Sequence, residues 1–154
     1  MDSGIVVEII PEDLKGKNGQ VKFSPKDAPF LGVYFSAHWC PPCKRFTPKL
    51  INFYEVANKN KKQIEIVYVS SDKSEEQFNE YYGTMPWLAI PFGKEAIENL
   101  NQAFEIEGIP TLLLFNSEGK LIDDDARTTV ENRYPKAGYS EQTVKTIIDI
   151  WSSK

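Results

Sequence analysis

The sequence predicts an α/β fold, and three observations lead to this prediction. The run Phe30–Ala37 is apolar or small almost throughout, as in a strand that is buried on both faces. Apolar residues at helical spacing follow it, with Phe46, Leu50 and Phe53 on one face. A second apolar run covers Ile64–Val69. Two buried strands joined by a helix form a right-handed parallel crossover, which is the basic unit of an α/β sheet.

Length and composition favour one compact domain. The 154 residues are 41% hydrophobic, which suffices for a substantial core. We therefore expect a single domain over residues 1–154, with its core at about 28–151. A short β extension is expected at the N-terminus, because Gly4–Ile10 has the pattern of a strand that Pro11 ends. Glu12–Gln20 then predicts a turn-rich link to Val21–Phe23, a short segment that is expected to pair locally.

Two further helices are predicted on either side of a proline-rich apolar stretch. Ser74 and Gln77 form a capping-box pattern for a helix that continues through Tyr82. Thr84–Phe92 contains too many prolines for a helix, and Lys94–Phe104 has the pattern of the next one.

The last part of the chain predicts a hairpin and a helix. The two antiparallel strands of the hairpin are expected at Thr111–Phe115 and Leu121–Ile122. Asp123–Gly138 is polar and irregular, which predicts a loop. Ser140 is expected to cap a final helix with one apolar stripe, formed by Val144, Ile147, Ile148 and Trp151.

The chemistry is expected at a two-cysteine motif where the first central strand ends. Pro41 and Pro42 set a helical backbone angle where N–H groups have no intrahelical partner, so a helix can begin directly after Cys40. Unpaired N–H groups and the positive end of the helix dipole favour an anion, so Cys40 is expected to ionise more readily than a free cysteine. Cys43 lies one turn along the same face, where it can bridge to Cys40 or attack a mixed disulfide formed on it. The predicted roles are attack by Cys40 and resolution by Cys43.

Composition also excludes some classes of function and indicates where the protein works. Two cysteines in one short motif fit a reducing compartment, where the pair cycles between thiols and disulfide. A net charge of −4 argues against nucleic-acid binding, which needs clustered Lys and Arg. The start of the chain has no secretory-signal pattern, and no stretch approaches the length of a membrane span. We expect a cytoplasmic location, with the nucleus as a second possibility.

Other interpretations of the motif fit less well and stay open. A closed zinc site needs four ligands, whereas only Cys40, Cys43 and His38 are local, so no metal is expected; a three-ligand site with an open position is the alternative. A Cys/His protease would use His38 but would not need Cys43. We expect His38 to be an exposed residue that tunes the local charge. Trp39 either covers the cysteine pair and faces partners or belongs to the core.

Five short motifs follow one another along the chain: Trp39–Cys43, Phe46–Pro48, Ser71–Asp72, Met85–Ala89 with Pro91, and Gly108–Thr111. With these motifs in this order, the sequence resembles the tryparedoxin and nucleoredoxin branch of the thioredoxin superfamily from about Phe30 to Phe115. The resemblance implies a thioredoxin-like fold with a central mixed sheet flanked by helices. It also implies reduction of protein or small-molecule disulfides by Cys40 and Cys43, with no cofactor other than their redox-active disulfide.

The resemblance extends to partners and to further site residues. Pro110 is implied to be a cis-proline facing the active site, and the backbone of Ile109 to pair with bound substrate. Trp39, Pro41 and Pro42 complete the implied substrate-binding surface. The implied partners are an upstream thiol reductant and disulfide-containing proteins or peroxidases, and we expect a monomer.

Two residues differ from related sequences, one from the tryparedoxins and one from ordinary thioredoxins. Tryparedoxins usually carry a tryptophan where this chain has Ser71, which weakens the case for trypanothione as electron donor. Tyr34 replaces the buried acid of ordinary thioredoxins, a substitution that tryparedoxin-like sequences share. With a reference pKa of about 10, a tyrosine cannot act as a base at neutral pH.

The leading hypothesis for the function is a dithiol-disulfide oxidoreductase. A redox-gated protein-binding module is the alternative, and a peroxidase is a weaker third, since peroxidases need only one reactive cysteine.

Overall fold

The computed structural model describes residues 10–154, and its main feature is one seven-stranded mixed sheet. The strands follow one another across the sheet in the order β2-β1-β5-β4-β3-β6-β7. They are β1 (Asp13–Gly16), β2 (Gly19–Lys22), β3 (Phe30–Ser36), β4 (Ile64–Ser70), β5 (Leu88–Ala89), β6 (Thr111–Asn116) and β7 (Leu121–Asp123). The helices are α1 (Pro41–Ala57), α2 (Glu75–Tyr82), α3 (Glu95–Ala103), α4 (Ala126–Glu131) and α5 (Glu141–Ser152).

The centre of the sheet is the predicted crossover. β3 and β4 run parallel, with Val33 opposite Val67, and every residue of both strands is buried. β6 pairs with the other edge of β3 in the antiparallel direction and β7 continues it as a hairpin, as predicted. Because buried strands hold their ends in place, the end of β3 presents the two-cysteine motif at a fixed position.

The helices pack on both faces of the sheet. Tyr34 and Tyr68 face the larger apolar cluster, which contains buried apolar residues of α1, α2, α4 and α5. Val33 and Val67 face the second cluster, to which α3 contributes Leu100. This alternation follows from the two-residue period of a strand, and it gives the expected thioredoxin-like arrangement of a mixed sheet between helices.

Several helix boundaries agree with the sequence prediction. Ser74 caps α2 by accepting a hydrogen bond from the backbone N–H of Gln77, and Ser140 caps α5 in the same way. The Gln77 side chain accepts from the N–H of Lys73, one residue before the cap. All four residues of the predicted stripe on α5 are buried.

Two predictions of local structure were wrong. Part of the expected link over Glu12–Gln20 forms β1, which pairs with β2 as a hairpin closed at Gly19, where φ is +111°. The expected loop Asp123–Gly138 contains α4, because the Asp125 carboxylate caps a helix by accepting from the N–H of Thr128. The proline-rich Thr84–Phe92 is not helical, as predicted, and it contains the short strand β5. The expected first strand, Gly4–Ile10, lies outside the described residues except for Ile10.

Candidate active site

The end of β3 and the start of α1 place Cys40 as predicted. Cys40 is the N-cap of α1 and has an extended backbone conformation, with φ of −97° and ψ of 109°. Pro41 and Pro42 occupy the first two helical positions, where the missing N–H groups cost no intrahelical hydrogen bond. Pro41 is exposed and Pro42 half-buried, so this turn forms part of the protein surface.

The two cysteines are free thiols that differ in access to solvent. Cys40 retains 4% of its surface exposed and Cys43 none. The backbone N–H of Cys43 donates a hydrogen bond to Cys40 Sγ over 3.3 Å. A donor in this position favours negative charge on Cys40 Sγ, so the local geometry suits a thiolate there.

The surroundings of Cys43 favour its protonated form. Burial, followed by the hydrogen bond with Cys40, raises the pKa of the Cys43 thiol to about 12, whereas Ser36 and the backbone of Ala37 act to lower it. At neutral pH the thiol of Cys43 is therefore neutral in the reduced protein.

Ile109 and Pro110 lie on the other side of Cys40. The peptide bond between them is cis, as the resemblance implied. Cys40 Sγ lies 3.8 Å from the carbonyl oxygen of Ile109, to which the thiol donates. An open cleft of about 600 Å³ begins at these two residues and continues along Glu105–Gly108 to Arg127. Ile109 therefore contacts Cys40 and also lines this cleft.

Trp39 belongs to the surface and not to the core. Its side chain is 45% exposed, so the interpretation of Trp39 as a core residue was wrong. The indole Nε1–H donates to the carbonyl oxygen of Ser71 over 2.8 Å, and the Lys73 ammonium lies 5.1 Å from the ring centroid. The ring is therefore held in one orientation while it stays accessible next to Cys40.

The segment after β4 holds the loop that leads to Cys40. Asp72 is buried and accepts three hydrogen bonds: Oδ1 from the N–H of His38 at 2.6 Å, and Oδ2 from the hydroxyls of Tyr68 and Ser70 at 2.6 and 2.7 Å. Together with the bond from Trp39 to Ser71, these contacts fix the backbone between β3 and α1.

Four buried hydroxyls lie beneath the cysteine pair. Ser36 Oγ is 2.8 Å from the hydroxyl of Tyr81, which is 2.6 Å from Thr47 Oγ1. The hydroxyl of Tyr34 is also 2.6 Å from Thr47 Oγ1, which donates to the carbonyl oxygen of Cys43 over 2.9 Å. Burial, followed by nearby Tyr81, raises the pKa of Tyr34 well above its usual value, so this replacement for the buried acid stays neutral.

His38 is half-buried and not exposed as expected. Its ring packs edge-on against Tyr81, with centroids 5.9 Å apart, and Nε2 lies 3.7 Å from a carboxylate oxygen of Glu80. Over residues 10–154, no three His, Cys, Asp or Glu side chains are grouped so that they could hold a metal ion.

The sequence did not reveal the hydroxyl cluster. Ser36, Thr47 and Tyr81 come from a strand and two different helices, and each taken alone is an ordinary residue of its element. The only signal in the sequence was Tyr34 at the position of the acid, since a buried tyrosine hydroxyl requires a partner.

The comparisons with known proteins agree with this geometry. Residues 29–121 match a family model described as thioredoxin-like. The nucleoredoxin of Danio rerio is 42% identical over 127 residues, which is 81% of this chain and 30% of that protein. The tryparedoxin of Trypanosoma brucei brucei is 42% identical over 120 residues, which is 77% of this chain and 83% of that protein. The chain thus spans less than a third of the length of this nucleoredoxin but most of the tryparedoxin.

Solved structures of tryparedoxins are also similar to this chain. Tryparedoxin II of C. fasciculata superimposes with a TM-score of 0.74 at 38% identity, covering 84% of this chain and 92% of that one. A structure of tryparedoxin II with glutathionylspermidine gives a TM-score of 0.75 at 36% identity, covering 83% and 92%.

Fold, cysteine pair and relatives define a class of proteins with a thioredoxin-like sheet and a Cys-x-x-Cys pair at a helix N-terminus. This chain belongs to the thioredoxin-like family, in the branch that contains the tryparedoxins and nucleoredoxins.

Proposed function

We propose that this chain reduces disulfides of proteins or small molecules through Cys40 and Cys43. The observation that carries the proposal is the difference between the two cysteines in position and protonation. Cys40 caps α1 and receives the N–H of Cys43 on its sulfur, whereas Cys43 is fully buried with a raised pKa. Cys40 is thus placed to attack a substrate disulfide, whereas Cys43 is buried and protonated until the second step.

The first step is attack by Cys40 on a substrate disulfide. The sulfur–sulfur bond of the substrate breaks, one half leaves as a thiol, and the other stays bound to Cys40 as a mixed disulfide. The hydrogen bond from the N–H of Cys43 stabilises the attacking thiolate, and the exposed turn at Pro41 leaves room for the approach.

In the second step Cys43 attacks Cys40 Sγ. This attack releases the second half of the substrate and forms the Cys40–Cys43 disulfide, which a thiol reductant must reduce again. The two cysteines lose two electrons and the substrate gains them, so no further cofactor is required.

Substrate is proposed to bind across Trp39, Pro41, Pro42, Ile109 and Pro110. The exposed indole of Trp39 offers a flat apolar surface on one side of Cys40. On the other side, the cleft that begins at Ile109 can hold the chain flanking the substrate disulfide.

The proposed partners are disulfide-containing proteins or peroxidases and an upstream thiol reductant. The glutathionylspermidine complex of tryparedoxin II supports a small thiol as one such reductant. Over residues 10–154, no helix is long and apolar enough to cross a membrane. We further propose that residues 1–154 form a single domain with its core at about 28–151. The chain is proposed to work as a monomer and to reside in the cytoplasm, with the nucleus as an alternative.

A second candidate is a redox-gated binding module. Trp39 favours it, because an exposed aromatic side chain beside a redox-active pair can form the centre of a protein interface whose shape depends on the oxidation state. The similarity of this chain to a part of the nucleoredoxins is the other basis of that alternative.

Catalytic turnover separates the two candidates. Reduction of insulin disulfides is measured with a dithiol as electron donor, using wild type and Cys40→Ser. An enzyme reduces many equivalents of insulin per equivalent of protein, and Cys40→Ser reduces none. Stoichiometric, redox-dependent capture of a partner without turnover would instead support the binding module.

A further inference from the structure

One lysine side chain lies against the exposed tryptophan beside Cys40. The Lys73 ammonium is 5.1 Å from the centroid of the Trp39 ring, which is a cation–π arrangement. The indole is held in place, because its Nε1–H donates to the carbonyl oxygen of Ser71. The backbone N–H of Lys73 donates to the side-chain oxygen of Gln77 over 3.1 Å, so both residues of the contact are anchored. A positive charge is thus held next to the residue that precedes Cys40.

This positive charge has no acidic partner in the part of the chain that the structure describes. None of the ion pairs over residues 10–154 includes Lys73. Asp72, its neighbour in the chain, is buried, and its carboxylate accepts three hydrogen bonds within the loop. Glu75 and Glu76 are exposed in the first turn of α2, and neither pairs with Lys73. The ammonium can therefore pair with a carboxylate from outside the chain.

Lys44 places a second cation close to the reactive cysteine. Its backbone N–H donates to the carbonyl oxygen of Cys40 over 3.1 Å, and its side chain is exposed. Within the described part of the chain, Lys44 forms no ion pair either. Lys44 shares a groove of about 220 Å³ with His38 and Glu80, whose carboxylate lies 3.7 Å from His38 Nε2. A substrate on this side of Cys40 thus meets the ammonium groups of Lys73 and Lys44.

The other side of Cys40 presents carboxylates. Three exposed acidic residues line the cleft that begins at Ile109: Glu105, Glu107 and Asp124. Arg127 also lines it, but its Nε lies 3.4 Å from the carboxylate of Glu131, which balances part of the positive charge. An acidic segment of a substrate is therefore disfavoured in this cleft, because like charges repel.

We propose that the Lys73 ammonium and the Trp39 ring form a subsite for a carboxylate next to the reactive disulfide of a protein substrate. The proposal rests on the proposed function and names the class of substrate, which is proteins with an aspartate or glutamate close to one cysteine of that disulfide. The aliphatic part of such a side chain packs on the indole while its carboxylate pairs with Lys73. The carboxylates of the cleft disfavour the reverse orientation, so the acidic residue is recognised on one side of the substrate cysteine only.

Peptide disulfides of matched sequence test this subsite. Each peptide carries one cysteine in a disulfide with nitrothiobenzoate, and a glutamate, glutamine or lysine stands two residues before or two residues after that cysteine. The Cys40 thiolate attacks the peptide sulfur, the bond from the peptide to nitrothiobenzoate breaks, and the coloured aromatic thiolate leaves with the electron pair. Stopped-flow absorbance at low ionic strength gives the second-order rate constant of this step for each peptide with reduced protein.

For wild type, we expect the glutamate peptide to react about twofold to fivefold faster than the glutamine peptide at one of the two positions, as for an exposed ion pair. The lysine peptide should be slower than both. At the other position glutamate should give no advantage. Lys73→Gln should remove the preference for glutamate, and Lys73→Glu should reverse the order of the glutamate and lysine peptides. High salt should reduce these differences, since it screens exposed charges.

Lys61→Glu is the matched control for Lys73→Glu. It changes the net charge of the protein by the same amount, but Lys61 is exposed beyond the C-terminal end of α1, about 25 Å from Cys40 along that helix. The order of its peptide rates should equal that of wild type. Comparing peptides within one protein also cancels any general effect of a substitution on the reactivity of Cys40.

The outcomes separate this proposal from the proposed function. No release of the aromatic thiolate from any peptide by wild type would contradict the function itself. Equal rates for the glutamate and lysine peptides at both positions would overturn the subsite and leave the function intact. An unchanged order of rates in Lys73→Glu, or a reversed order in Lys61→Glu, would also overturn it. Equal preference for glutamate at both positions would overturn the single orientation. Thermal unfolding of each variant checks that it is folded.

Discussion

The backbone N–H of Cys43 donates a hydrogen bond to Sγ of Cys40 across 3.3 Å. This contact exists because Cys40 is the N-cap of α1 and Cys43 lies at its third position, where a helix has an N–H without an intrahelical partner. The resolving residue thus stabilises the attacking one through its backbone while its own thiol stays buried and protonated. A single turn of helix therefore gives the two chemically identical side chains different roles.

Asp72 is predicted to hold the loop before Cys40. Asp72→Ala leaves the buried N–H of His38 without its partner, so we expect a loss of about 1–3 kcal/mol in the free energy of unfolding. Asp72→Asn should cost less, because its amide can accept from His38 and donate to the hydroxyl oxygens of Tyr68 and Ser70. Urea unfolding measures both variants.

The exposed Asp124 provides the control for the Asp72 variants. Asp124→Ala removes a carboxylate from the surface and should change stability by less than about 0.5 kcal/mol. Equal stability of wild type and Asp72→Ala would show that the three hydrogen bonds to this carboxylate do not hold the loop.

Trp39 is predicted to contribute to substrate binding much more than to stability. Trp39→Ala should raise KM for a protein disulfide about threefold to tenfold, in line with the loss of one aromatic contact. Because the side chain is 45% exposed, the free energy of unfolding should fall by less than about 1 kcal/mol. Steady-state kinetics and urea unfolding measure the two effects.

Val21 offers a matched surface substitution, since its side chain is 38% exposed on the edge strand β2. Val21→Ala should leave KM unchanged. If Trp39→Ala also left KM unchanged, the indole would have no part in the substrate surface.

The elements that could be predicted from the sequence are those with local signals. β3, α1 and the caps at Ser74 and Ser140 were predictable because their signals are local: an apolar run, two prolines, and a serine three residues before its N–H donor. α4 was missed because its polar sequence has no apolar stripe, although Asp125 is a normal N-cap residue.

The interior of the site could not be predicted, because its contacts join distant parts of the chain. Tyr81 meets Ser36 from 45 positions away and Thr47 from 34 positions away. A serine at the end of a strand or a threonine within a helix carries no local sign of such a partner. These contacts depend on how α1 and α2 pack on the sheet, which short-range patterns do not determine.

The raised pKa of Cys43 predicts a loss of stability in alkali. The folded, reduced protein keeps the Cys43 proton up to about pH 12, whereas the unfolded chain releases it above about pH 8.5. The unfolded state therefore binds fewer protons in this window, so the free energy of unfolding falls as the pH rises. The contribution of Cys43 is fully present below about pH 8.5 and is lost toward pH 12.

Cys43→Ala removes this contribution while it keeps Cys40 and the buried tyrosines, whose pKa values are raised mainly by burial in both proteins. Between about pH 8 and about pH 11, reduced wild type should lose stability more steeply than reduced Cys43→Ala, by up to about 1.4 kcal/mol per pH unit. Parallel curves from urea unfolding across this range would mean that Cys43 titrates alike in the folded and unfolded states.

Trapping of the mixed disulfide distinguishes attack by Cys40 from resolution by Cys43. Reduced Cys43→Ser and Cys40→Ser are each mixed with a disulfide-containing protein, and intact-mass spectrometry identifies the covalent adducts. Cys43→Ser should accumulate a mixed disulfide on Cys40 that persists until a thiol is added, because the resolving sulfur is absent. Cys40→Ser should form no adduct, since the remaining thiol is buried and protonated. A stable adduct on Cys43 in Cys40→Ser, or free turnover by Cys43→Ser at the wild-type rate, would contradict the assignment.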